Sequence, residues 1–487
     1  MRRILLLSAF LVSLSATAQN NLQRMVEQMA AKPALKGALV GVSIKGADGK
    51  TLASLNEGVR MTPASNLKLV TTGTALHAFG PTYRLKTTLA YSGEIKDGAL
   101  EGDLYIVGGG DPSIGAKDTT ALQSGALFWK WKTLLRKAGI ERIHGRIIAD
   151  GSRYEGHLEH ASWSYDDVGT YYGAGFNALC FYENAIDFQV AAGAAPGDPV
   201  SIRQSFPETP WLHFSNYAFT GPAGSGNSLY LYTTDLAPYA EMRGTFATDR
   251  RPKTEHFANK YGDLSCAYAF WKNLKDAGWE VTGGYARRDR SGFVTGPDFV
   301  PAEKAAQEPV SIGYTESPDL SQMAARTNFE SDNFYAESFL RAMGEAATLN
   351  ASYDSCLVAV NEVLTGLGVP LDGLSQADGS GLSRKNLLSA GWMATFLSAM
   401  QKSPAFPAFL ASLPAPGQGT LTVLKIDSGA RLRLKSGSME GVLCYSGYVL
   451  DANGKVEKIF SILTNAATAQ PSQVRAAIAG LLTGLLQ

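Results

Sequence analysis

From Arg84 to about Ala302 the chain reads as short alternating segments rich in Gly and Tyr, such as LKTTLAYSGEIKDGALEGDLYIVGGGDPSIG, broken by a helical piece near Ala121–Ala138. The flanks have a different character. Residues 36–60 read as strands around a turn at Ala47-Asp48-Gly49, and a helix follows them. From about Ser321 the pattern is helical again, and the end carries a strand pair, ARLRLKSGS and GVLCYSGYVL, then a hairpin at Asn453-Gly454 into KVEKIFSILTN. The middle block is therefore read as β-rich inserted domains, in a chain whose 487 residues far exceed the needs of one ordinary core. No internal repeats are visible.

Two helices can be placed from local signals. The first is expected to be capped by Thr62, with Pro63 at its first position, an apolar face of Val70, Leu76 and Phe79, and Gly80-Pro81 at its end. The second, Val474 to Leu486, is apolar on one face and reads as a core helix, since its polar face lacks the Lys/Arg enrichment of a membrane-surface anchor.

Charge and composition exclude several classes. Lys+Arg and Asp+Glu both number 44, with no dense basic stripe to track phosphates, so nucleic acid is not an expected partner. The N-terminus has a signal-peptide pattern: Met1-Arg2-Arg3, an apolar run Ile4–Leu14, and Ala16-Thr17-Ala18 as a small-x-small cleavage site. Residues 1–18 are thus expected to be removed, leaving a soluble exported chain from near Gln19. No later run has the 18 or so apolar residues that a span requires, which leaves only peripheral membrane contact open. Cys180, Cys266, Cys356 and Cys444 are even in number but scattered, compatible with disulfides or with buried thiols. His157 and His160 in HLEH lack a zinc-site pattern, and neither metal nor cofactor is expected.

Positive chemical evidence begins at PASNLKLVTT, Pro63 to Thr72. Helical spacing lets Ser65 Oγ and Lys68 Nζ share a face. A serine hydroxyl is a poor nucleophile until a base takes its proton, and lysine is such a base only where burial, a helix N-terminus or a second cation favours its neutral form. The tetrapeptide S-x-x-K is expected about once or twice by chance in a chain this long, so it needs company. It has it. Ser331-Asp332-Asn333 leads into a helical run, and Lys435-Ser436-Gly437-Ser438 ends a period-2 strand from Arg431 to Lys435, giving S-x-x-K, S-D-N and a K-[ST]-G element in order. A glycine at position 437 lets a substrate backbone come close. Ser225-Gly226-Asn227 also fits S-x-N, but GPAGSGNS reads as a turn.

These motifs, with GGGDPS (Gly108–Ser113), DGSRY (Asp150–Tyr154), YYGAGFNAL with Glu183-Asn184, SDNFYAE, DGSGLSR (Asp378–Arg384), KSGSMEGV and SGYV, resemble the class-C low-molecular-mass penicillin-binding proteins. That is the D-alanyl-D-alanine carboxypeptidase/endopeptidase family, peptidase family S13. The resemblance implies an α+β fold: a serine β-lactamase/transpeptidase-like domain, its antiparallel sheet covered by helices on both faces, with two nested β-rich inserted domains. The implied limits are 19–85 with 310–487 for the catalytic domain, 86–190 with 285–309 for the first insertion and 191–284 for the second. The 262 residues between Lys68 and Ser331 hold those insertions.

Carried over by position, the resemblance makes Ser65 the nucleophile, Lys68 its base and Ser331 a proton relay to the leaving amine. Asn333 is implied to bind the substrate amide, Lys435 to supply positive potential, Ser436 and Gly437 to complete the motif, and Ser438 to bind the terminal carboxylate. Backbone N–H groups of Ser65 and Ser438 form the implied oxyanion hole. Where the family's third motif has threonines this chain has serines, keeping the hydroxyls but not the β-branching. A substrate side-chain pocket is implied at Asp167, Tyr172, Arg384 and Met439, for an ammonium, a carboxylate and an aliphatic stem. The expected partners are peptidoglycan stem peptides, with β-lactam antibiotics as covalent inhibitors. A β-lactamase or esterase of the same fold and a non-catalytic muropeptide-binding module are the other readings. The inserted domains count against the former and the full set of motif residues against the latter.

Overall fold

The computed structural model describes residues 21–117, 120–154, 157–288, 291–304, 309–427 and 429–487, with side chains 301–304 left aside; the expected signal peptide lies outside these. The chain divides into two compact units, Met1–Thr82 with Leu320–Leu340 and Leu357–Gln487, and Tyr83–Asp319 with Arg341–Cys356.

The first unit is built on a five-stranded antiparallel sheet, ordered Thr51–Leu55, Leu39–Gly46, Val456–Asn465, Val442–Leu450, Leu432–Met439. Leu39–Gly46 pairs without a register break against Val456–Asn465, from Leu39↔Asn465 to Gly46↔Lys458, so the two ends of the sequence share one ladder. All nine residues of Val442–Leu450 are buried, as expected of a strand covered on both faces. Tyr445 and Tyr448, three apart, project to opposite faces. Tyr445 joins the core that holds Val474, Ile478, Leu481 and Leu482 of helix Pro471–Gly484, while Tyr448 Oη donates to the Leu397 carbonyl of helix Ala390–Met400. The closing helix is thus a core helix, and each of those four side chains contributes about 1.5–3 kcal/mol by leaving water.

Helix Lys68–Phe79 departs from the expected amphipathic form: Lys68 through Leu76 are all buried. Its threonines remain compatible with burial because their hydroxyls donate to carbonyls, Thr72 to Lys68, Thr74 to Val70 and Thr71 to Gly379. Thr62 does not cap it. A 3₁₀ turn, Ala64–Leu67, precedes the α-helix, and no side chain caps either segment. Instead Asn465 ties down the approach, accepting from the Thr62 N–H at 2.9 Å and donating to its carbonyl at 3.0 Å. The end is as expected, with Gly80 at φ 80° and its N–H on the Leu76 carbonyl.

The second unit contains a seven-stranded mixed sheet, ordered Pro301–Lys304, Phe293–Thr295, Tyr285–Arg288, Ile147–Asp150, Leu104–Val107, Lys86–Tyr91, Val310–Glu316. Helices Ser124–Lys137 and Gly262–Asp276 share its core through Phe128, Trp131 and Phe270. A separate apolar cluster, including Phe188, Leu231, Met242 and Phe246, lies within the small sheets of residues 185–258. The glycines of GGGDPS serve close packing: a Cβ on Gly108 would sit 2.3 Å from the Ala178 carbonyl oxygen of YYGAGFNAL. All four cysteines are buried and none is in a disulfide, and burial raises the pKa of Cys180, Cys266 and Cys444, that of Cys444 to about 12. Among the described residues no helix is long and apolar enough to cross a membrane.

Candidate active site

Ser65 lies on the 3₁₀ turn one residue after Ala64, which is held at φ 47°. A non-glycine residue in that region is strained and persists only where its surroundings dictate it. Here they do: a Cβ on Gly381 would sit 2.1 Å from the Ala64 carbonyl oxygen, and one on Gly437 would sit 2.4 Å from the Pro63 carbonyl oxygen and 2.8 Å from the Asn66 nitrogen. Gly437 therefore serves the protein's own backbone, letting strand Leu432–Met439 lie against the Ser65 turn, a need ahead of any approach by substrate.

Lys68 starts the α-helix fully buried, and its Nζ donates to Ser65 Oγ at 2.9 Å, Asn333 Oδ1 at 2.6 Å and the Ser380 carbonyl at 2.6 Å. An ammonium has three donors, and all three are used. Ser331, at φ 60°, precedes helix Asn333–Thr348, and its Oγ accepts from Lys435 Nζ at 2.9 Å. Lys435 is also fully buried and donates to the Ser436 carbonyl at 2.7 Å. Between Ser331 and Asn333, Asp332 has a structural task, accepting from the Tyr335 N–H at 3.1 Å and pairing with Arg326 at 3.0 Å.

Strand Leu432–Met439 is the edge of its sheet. The Leu434 N–H points out of the ladder to the Pro414 carbonyl at 3.0 Å, so period two places the Ser436 and Ser438 N–H groups on the same outer edge. Ser438 is exposed, and Ser436 Oγ is 2.9 Å from Thr420 Oγ1, a partner that sequence reasoning missed.

Two buried acids were also missed. Glu337, one helical turn past Asn333, accepts from the Gly379 N–H at 3.1 Å and the Ser380 N–H at 2.8 Å. Asp378 accepts from the Gly381 and Ser383 N–H groups at 2.8 and 2.7 Å and from Asn386 Nδ2 at 2.8 Å. Together they hold the loop whose Ser380 carbonyl meets Lys68. The i, i+4 spacing of Asn333 and Glu337 in SDNFYAE was the available signal for Glu337.

Electrostatics separates the two lysines. Burial lowers the Lys68 pKa to about 8, opposed by Asp378, Glu337 and Asp332. Burial, reinforced by the charge on Lys68, pushes Lys435 well below the ordinary lysine range, with no carboxylate to oppose it. Burial thus disfavours the charged form of both lysines, the condition under which Lys68 can serve as a base. Burial and the charge of Asp378 lift Glu337 to about 7.

Of the remaining expected residues, Tyr172 Oη donates to Asp167 Oδ1 at 3.3 Å within the second unit. In the first unit Arg384 is exposed in the DGSGLSR loop and half-buried Met439 ends the lysine-motif strand. Among the described residues no three His, Cys, Asp or Glu side chains converge as metal ligands.

This chain is similar to a D-alanyl-D-alanine carboxypeptidase of an Actinomadura species, 29% identical over 94% of this chain and 83% of the relative. Its fold is similar to the crystal structure of penicillin binding protein 4 from Haemophilus influenzae, with TM-score 0.78, 23% identity and coverage of 96% of this chain and 98% of that one. A structure of that protein complexed with a β-lactam matches with TM-score 0.74, 22% identity and the same coverage. Residues 22–485 match the model of the D-Ala-D-Ala carboxypeptidase 3 (S13) family, and the chain belongs to that family.

Proposed function

We propose that the protein is a serine D-Ala-D-Ala carboxypeptidase, with cross-link endopeptidase activity through the same site, acting on peptidoglycan stem peptides and acylated by β-lactams at Ser65. The observation that carries this reading is the double serine–lysine arrangement, Ser65 with Lys68 and Ser331 with Lys435, each at 2.9 Å. Ser65 Oγ attacks the carbonyl of the penultimate D-Ala as its proton passes to neutral Lys68. The tetrahedral oxyanion is met by the N–H groups of Ser65 and Ser438. As the C–N bond breaks, the proton taken up by Lys68 is relayed through Ser331 to the leaving nitrogen, so D-Ala departs, Ser331 keeps its hydroxyl and Lys68 is neutral again. Water, deprotonated by the same base, hydrolyses the ester and frees Ser65.

The substrate's terminal carboxylate acts on the charge balance of the two buried lysines. Bound near Ser438 and Lys435, it stabilises the cation on Lys435, and a charged Lys435 in turn lowers the proton affinity of Lys68. Substrate thereby helps to generate the neutral base. Ser436 and Gly437 keep the strand in place, and Asn333 binds the substrate amide. Asp167 is assigned the amino group of the stem's diamino acid side chain, Arg384 its carboxylate, and Tyr172 and Met439 its aliphatic stem, a reading supported by the hydrogen bond that sets Tyr172 beside Asp167.

The protein is further proposed to be exported by residues 1–18 to a periplasmic or cell-wall space, supported by the charged, apolar and small-residue sequence there. The nested division at 86–190 with 285–309 and 191–284 is kept as a proposal, supported by a second apolar cluster, drawn mostly from residues 200–257 with Ile186, Phe188 and Val190, that is separate from the core of the seven-stranded sheet. The test is intact-mass spectrometry after incubation with benzylpenicillin. The wild type should carry one long-lived penicilloyl group and Ser65→Ala none; labelling that persists in the variant removes Ser65 from its role.

A further inference from the structure

Six of the eight exposed tyrosines among the described residues lie between positions 165 and 239, so aromatic exposure is concentrated in one part of the second unit. Four aromatic side chains there line an open cavity of about 580 Å³: Trp163 is nearly buried, and Tyr165, Tyr232 and Tyr239 are 70%, 37% and 61% exposed. The tyrosines are held as platforms. Tyr165 lies 5.9 Å from Tyr232 between ring centroids, and Tyr239 stacks on His213 at 4.9 Å. Tyr230 Oη accepts from the Gly169 N–H at 3.1 Å, pinning the Tyr165 loop to strand Tyr230–Thr233.

A second cavity, of about 520 Å³, shares His157 and Asp235 with the first and is lined by Lys260, Arg287 and Arg288. Each of these cations already meets a carboxylate: Lys260 with Glu159 at 2.5 Å, Arg287 with Asp263 at 3.0 Å and Arg288 with Asp150 at 3.1 Å. His157 Nδ1 lies 3.3 Å from Asp235. Each cation is thus matched by a carboxylate and Asp235 faces His157, so no excess of positive charge is left with which to select an anion. What remains is a set of fixed planar hydrogen-bonding edges beside exposed ring faces. A pyranose ring matches both, since its axial C–H face packs on aromatic rings and its hydroxyl and acetamido edges bond to carboxylates, amides and guanidinium groups.

We propose that this joined groove binds neutral saccharide, specifically the strand of β-linked N-acetylhexosamines from which stem peptides hang. The identity of the strand rests on the proposed function; the preference for saccharide rests on the groove. The enzyme would then hold the wall polymer through a site separate from its serine chemistry.

The experiment uses the full-length protein and two probes, a soluble β-1,4-linked oligomer of N-acetylglucosamine and peptide-free glycan strands released from sacculi. Titration calorimetry compares the wild type with a Tyr165→Ala/Tyr239→Ala double variant, whose replaced side chains are exposed and whose unfolding midpoint serves as the folding control. The wild type should bind both probes with little dependence on salt. The variant should bind at least about tenfold more weakly, while its hydrolysis of a soluble D-Ala-D-Ala peptide stays within about twofold of wild type. No binding by the wild type, equal binding by the variant, or an affinity that collapses with added salt would each overturn the proposal. Failure of the serine chemistry has a different signature: no peptide hydrolysis and no penicilloyl adduct in the wild type, neither of which depends on the tyrosines.

Discussion

Lys435 holds the hydroxyl of Ser331 at 2.9 Å, the same separation at which Lys68 holds that of Ser65, and both ammonium nitrogens are buried. Two cations in one dry site disfavour each other, so the proton count of the pair, rather than of either lysine alone, governs the chemistry.

Removing one member separates their tasks. Lys68→Ala should depress acylation by free-acid and amidated peptides alike. Lys435→Ala should cost at least about thirtyfold more on a peptide ending in a free carboxylate than on its amide, because only the former loses a buried charge partner. Steady-state kcat/KM on the two substrates measures this, and equal losses for Lys435→Ala would contradict its carboxylate role.

The pH profile follows from the direction of the Lys68 shift. With its pKa lowered to about 8, the neutral base forms as pH rises, so kcat/KM for acylation should climb through the region near pH 8. Glu337 favours the charged form of Lys68, so Glu337→Gln, which keeps an oxygen to accept from Gly379 and Ser380, should move that limb to lower pH. A limb that stays in place or moves upward would refute the coupling.

Gly437→Ala tests the approach of strand to nucleophile turn. Its methyl group would fall 2.4 Å from the Pro63 carbonyl oxygen, a backbone atom that cannot swing aside. Displacing the turn by even about 1 Å should slow penicillin acylation by about a hundredfold and lower stability by about 1–3 kcal/mol. Acylation rate and thermal midpoint report the two effects.

Substrate selection is tested with two D-Ala-D-Ala peptides, one carrying a free zwitterionic side-chain end and the other a blocked end. The wild type should prefer the free end, and Asp167→Ala should erase the preference by removing the partner of the ammonium. Absence of a preference in the wild type would dispose of the pocket.

Signals carried by neighbouring residues were legible in the sequence, and those carried by distant ones were not. The Ser65–Lys68 spacing, the helix after Ser331-Asp332-Asn333, the Gly80 stop and the Asn453-Gly454 hairpin all depend on a few adjacent positions. Thr62 looked like a cap because capping is a local preference, yet Asn465, 403 positions away, holds its backbone instead. Gly437 could be marked as a close approach, but only the fold reveals that Pro63 and Asn66 are what approach it. Glu337, Asp378 and Thr420 escaped for the same reason: their partners lie on other elements, and nothing in their immediate neighbours distinguishes them from ordinary polar residues.

The ladder joining Leu39–Gly46 to Val456–Asn465 also dictates a timetable. A chain that emerges N-terminus first presents the Ser65 turn early, but Leu39–Gly46 stays without this partner until Val456–Asn465 arrives, shortly after Lys435. Pairings of such long sequence separation close slowly. On the proposed reading, Ser65 is expected to stay unreactive until that pairing forms, and a chain truncated before Val456 should take up no penicilloyl group.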